Sequence, residues 1–166
     1  MERFRAGLRA ALEAVSLAVL VSLLAVVVAA VAARYTGLMF SWYDELASIL
    51  LAWLTYFGAA LAALKRAHLG FDNLMLALPA RARRAAFVAA EAVTIGFFAC
   101  LAWGGWALLD VLTGETLVSM PFVPSAAVQG VLPVAAGLFI LAELLTLPAA
   151  WRRYAAGSGA PEPGHL

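Results

Sequence analysis

The chain has 166 residues, 65% hydrophobic and only 13% charged, with a mean hydropathy of +0.95 and a formal charge of +1. That apolar share far exceeds the share in an ordinary soluble domain, so the composition indicates an integral membrane protein and argues against a nucleic-acid binder. Its one cysteine, Cys100, falls in an apolar run, which excludes an intramolecular disulfide and makes a structural metal site implausible.

At about 1.5 Å rise per residue, four stretches can cross a hydrocarbon core of roughly 30 Å. The first, about residues 14–33, follows Arg3, Arg5 and Arg9 and ends in "AAVAAR". A cleavable signal peptide competes with this reading, but the run is long for an h-region and is taken as a retained anchor. The short connection that follows contains Arg34 and then "SWYDELAS". Here Ser41 is a plausible N-cap for the second span, about residues 46–64, with Trp42, Tyr43 and Asp44 in its first turn and Glu45 after them. Acids at a helix start meet the positive end of the macrodipole. Two adjacent carboxylates exceed what capping requires, so one is expected to pair with Arg34 and the other to be available to a neighbouring protein.

The second span offers Gly58 with Ala62, and Ala59 with Ala63, in small-xxx-small spacing. Beyond it come Lys65, Arg66 and His68, then "FDNLMLALPARARR". The latter is read as a short interfacial segment capped by Asp72 or Asn73 and ended by Pro79, with its basic end along anionic headgroups. The third span, about residues 88–109, carries Glu91 near its start and a row of small residues, Ala92, Gly96, Cys100 and Gly104, at every fourth position. Internal packing and contact with another protein are equally good explanations of that row. Glu91 is expected to face protein rather than lipid. The following loop has Asp110 and Glu115 and no base. Pro133 lies within the fourth span, about residues 121–145, and predicts a bend in its middle. Residues 1–154 thus read as one four-helix membrane domain, and 155–166, rich in Gly and Pro, as a disordered tail.

Arginines and lysines crowd the N-terminus, the central loop and the residues after the fourth span, leaving only Arg34 on the other side. By the positive-inside rule both termini and the central loop face the cytoplasm. Glu13, Glu91 and Glu143 lie a few turns from the cytoplasmic ends of their spans, where an acid can snorkel to water; that reading is preferred for Glu13, whereas Glu91 lies deeper. For Glu13, four residues after Arg9, an ion pair along the helix supports it.

No glycine-rich phosphate loop and no helical His/Cys/Glu set to hold a metal occurs, so neither a cofactor nor catalytic residues are assigned. A lone loop histidine such as His68 is far more often a hydrogen-bonding residue than a catalyst.

The run "WYDELASILLAWLTYFGAALAALKRAHLGFDNLMLALPARARR" resembles the small membrane subunit, DctQ type, of tripartite ATP-independent periplasmic (TRAP) transporters. The resemblance rests on Trp42 and Glu45 opening the second span, Trp53 and Gly58 within it, and His68 and Asp72 just after it. Leu78, Pro79 and Arg84 follow, and Pro133 lies in the last span. It covers most of the chain between the first and fourth spans. It implies an inner-membrane protein that braces a large, sodium-coupled transport subunit and helps it receive an organic acid from a periplasmic binding protein. Trp42, Asp44, Glu45, Trp53, Gly58, Arg66, His68, Asp72, Glu91, Gly96, Gly104 and Pro133 are its candidate interface or structural residues. The competing reading is a stand-alone small membrane enzyme or redox protein using His68 and Asp72. A four-helix channel is disfavoured by the lack of a polar stripe to line a pore.

Overall fold

The computed structural model describes residues 2–37, 41–65 and 78–156. Helix α1 spans Glu2–Tyr35, α2 Tyr43–Leu64, α3 Ala80–Val111, α4 Ser125–Gln129 and α5 Val131–Ala156. Four helical stretches are long and apolar enough to cross a membrane, with α4 and α5 together forming the fourth. Among the described residues the extended structure is one isolated bridge between Thr116 and Pro124.

The helices outrun the apolar stretches. α1 begins at Glu2 rather than near residue 14, and α3 begins at Ala80 rather than near residue 88. Both extensions consist mainly of Ala, Arg, Leu and Glu, strong helix formers that continue the ladder once an apolar helix has nucleated it. The stops are local. Past α1, Gly37 adopts φ +79°, the left-handed conformation of a helix C′ residue, and Gly114 does the same beyond α3 at φ +89°. α3 and α4 start directly after Pro79 and Pro124, whose extended backbones lead into a first turn that needs no proline N–H.

Pro133 falls in the first turn of α5, so the fourth span is interrupted at Gly130, near its beginning and not in its middle. The physical reason is that a proline at 133 cannot donate to the carbonyl four residues back, that of Gln129, where α4 ends. The proline within the long helix is Pro148.

The long helices pack in the order α1, α2, α5, α3. α1 rests on α2 along a seam of its less exposed residues, Leu12, Ser16, Val19, Leu23, Val26, Ala30 and Ala33, spaced alternately four and three apart as in a left-handed coiled coil. α5 lies between α2 and α3. One core cluster joins Leu12 of α1, Ala60, Ala63 and Leu64 of α2, and Phe139 and Ala142 of α5, at the end where Lys65 leaves α2. On the other flank of α5, Phe139 stacks on Phe98 of α3 at 3.5 Å between ring centroids. Phe87 and Ala150 form a smaller buried pair near the start of α3.

Candidate functional site

At the end where α2 begins, the acidic pair divides its work. Glu45, in the first turn of α2, accepts hydrogen bonds from the backbone N–H of Val118 at 3.2 Å and of Ser119 at 2.8 Å, and from the Ser119 hydroxyl. Those donors lie in the α3–α4 connection, which closes on itself through Leu117 N–H to Val123 O and Ser125 N–H to Glu115 O. Glu45 is therefore a clamp on that hairpin. Asp44, one residue earlier and about 100° round the helix, is exposed and makes no salt bridge among the described residues. The expected pairing with Arg34 is not present, because the hairpin N–H groups satisfy Glu45 and Asp44 points elsewhere. Nor is Ser41 the cap: Trp42 occupies that position in an αR conformation and no side chain bonds the first N–H groups.

Below this rim Trp53 donates its indole N–H to the carbonyl of Val128 at 3.1 Å, tying α2 to α4. Gly58 is half-buried and a Cβ built there would meet nothing within 4 Å; the contacts of α2 run instead through Ala60, Ala63 and Leu64.

The small-residue row of α3 faces away from its own chain. Ala92, Gly96, Cys100 and Gly104 are all exposed, and a Cβ at Gly96 or Gly104 would meet no atom within 4 Å. Close approach inside the protein occurs one residue later, at Gly105. There a Cβ would lie 3.0 Å from Pro133 Cδ and 3.2 Å from the Leu132 side chain. Pro133 thus packs α5 against α3, a role whose signal in the sequence was the adjacent pair of glycines, only one of which fits the outward row.

At the opposite end Glu13 bridges Arg9 on its own helix at 3.0 Å and Lys65 of α2 at 2.7 Å. The first contact follows from i,i+4 spacing. The second links α1 to α2 and depends on their packing, so the chain order alone did not contain it. Glu91 is 7% exposed, on the protein side of α3, and Glu143 of α5 is fully enclosed. Snorkelling does not describe Glu143, because α5 is covered on two sides and its carboxylate has no path along a lipid-facing surface. Thr146, one turn on, is also buried and returns its hydroxyl to the carbonyls of Ala142 and Glu143. Arg66, His68 and Asp72, with the expected interfacial segment, lie outside the described residues.

The arrangement offers surfaces more than a chamber: a braced hairpin and a free acid at one rim, an open row of small residues along α3, and an ion-paired junction at the other rim. The sequence profile of the family described as Tripartite ATP-independent periplasmic transporters, DctQ component, matches residues 23–153, which includes every one of these features except Arg9 and Glu13. No curated protein matches the chain.

Proposed function

Since the chain belongs to the DctQ component family and is a small membrane subunit of a TRAP transporter, we propose that it braces the large sodium-coupled transport subunit in the bacterial inner membrane. In the same reading it helps that subunit receive an organic acid from a periplasmic binding protein. The observation that carries this is the outward small-residue row of α3. Lipid tails are as apolar as leucine, so helices in a bilayer associate through close van der Waals packing, which small side chains permit. A row that no helix among the described residues covers suits a helix of a larger partner.

With the arginine-rich end in the cytoplasm, the acidic rim of Asp44, Asp110 and Glu115 faces the periplasm, where the binding protein arrives. Trp42 precedes Asp44 by two residues at that rim. Arg66, His68 and Asp72 then belong to the cytoplasmic face, against the partner or the headgroups.

The test replaces Gly96 and Gly104 together with leucine and measures recovery of the large subunit with the tagged small one. Among the described residues no atom lies within 4 Å of a Cβ at either position, so the variant should retain its own melting temperature while losing most of its partner. Undiminished co-purification would remove α3 from the interface.

A further inference from the structure

We propose that the α3–α4 connection is a membrane anchor whose tip buries Val118 and Phe122 where the acyl chains meet the headgroups. The two side chains are 93% and 82% exposed, and they belong to a loop closed by its own hydrogen bonds rather than to a spanning helix. Met120 between them is buried, so the tip turns one apolar side chain toward the protein and two away from it. An exposed apolar residue on a loop is ordinary by itself. Three further features decide what covers these two.

The first is level. Glu45 accepts the N–H groups of Val118 and Ser119, so the tip is kept at the first turn of α2. The 22 residues of α2 extend for about 33 Å, close to a hydrocarbon core of roughly 30 Å, which puts that turn at the boundary. The second is the backbone. A loop in water can leave its N–H groups to solvent, whereas near hydrocarbon each needs an acceptor within the protein. Glu115, Leu117, Val118, Ser119, Val123 and Ser125 all donate to protein oxygens, and Pro121 and Pro124 have no N–H. Pro121 also suits the second position of the turn that Val123 N–H closes on Met120 O. The third is charge. Residues 116–130 contain no Asp, Glu, Lys or Arg, so the tip offers a protein partner no ionic contact and carries no charge into lipid. A tip with these properties can enter the boundary layer with its donors satisfied, and it fixes the depth of the end at which α2 begins.

The test depends neither on the orientation of the chain nor on the α3 interface. Nitroxide labels are attached to V118C, F122C and T36C, each in the full chain with C100A, and the chain is reconstituted in phosphatidylcholine nanodiscs. Thr36, exposed just past α1, is the reference in water. Apolar oxygen concentrates in hydrocarbon and a water-soluble nickel chelate does not, so the ratio of relaxation by oxygen to relaxation by nickel should be at least about threefold higher at 118 and 122 than at 36. Circular dichroism melting of each variant checks that the fold survives. Ratios at 118 and 122 no higher than that at 36 would place the tip in water and overturn the anchor. Co-reconstitution with the large subunit should leave both ratios unchanged; shielding of the two labels from both reagents would assign the tip to protein contact and overturn it as well.

Discussion

Glu45 and Asp44 show how one residue of chain separation can divide two functions. A carboxylate accepting two backbone N–H groups and a hydroxyl makes the strong, charge-assisted kind of hydrogen bond, and here it fixes a loop more than seventy residues away. Asp44 has no such partner among the described residues and presents its charge at the rim. The two should therefore respond differently to substitution. Glu45→Ala should speed amide exchange at Ser119 by roughly tenfold or more, the protection of one charge-assisted hydrogen bond, while leaving the helices protected. Asp44→Asn should leave exchange unchanged throughout and lower uptake by the assembled transporter. If Asp44→Asn transports normally, the rim acid has no docking role; if Ser119 exchanges no faster in Glu45→Ala, the clamp is not what orders the hairpin.

Among the elements, α5 decides the architecture. It touches α2 on one side and α3 on the other, and it contributes Ala135, Ala136, Phe139, Ala142, Glu143, Thr146 and Ala150 to the buried set. α1, with its long run of valines and leucines, buries far less. In lipid these facts do not conflict, because an apolar side chain gains no more by facing protein than by facing acyl chains. What selects the buried face is shape, and Gly104 and Gly105 measure it. Gly105→Leu should destabilise the purified chain by about 1–3 kcal/mol, the usual cost of overpacking, since Pro133 Cδ is part of a ring that cannot swing aside. Gly104→Leu should change thermal stability by less than about 0.5 kcal/mol, as expected where no packing is disturbed. Equal losses in the two variants would mean that the α3–α5 contact is not set at this point.

For the molecule as a whole, the proposed orientation rests on the distribution of charge. After Cys100→Ala, a single cysteine at Thr113 should react with a membrane-impermeant maleimide in intact cells, and one at Arg3 should react only after permeabilisation. The reverse pattern would invert the protein and place the acidic rim in the cytoplasm. The chain order alone settled the number and approximate position of the helices that can span, because the cost of bringing backbone and charge into hydrocarbon is local and can be summed along a window. It also carried the Arg9–Glu13 pair, which helical spacing determines, and the family, whose ordered residues lie from Trp42 to Pro133. The tertiary structure alone decided that the helices pack in the order α1, α2, α5, α3, that Glu45 closes on Ser119 rather than pairing with Arg34, and that Gly105 packs inward while Gly96 and Gly104 face out. Those outcomes depend on which surfaces fit one another, and apolarity within a bilayer contains no information about fit.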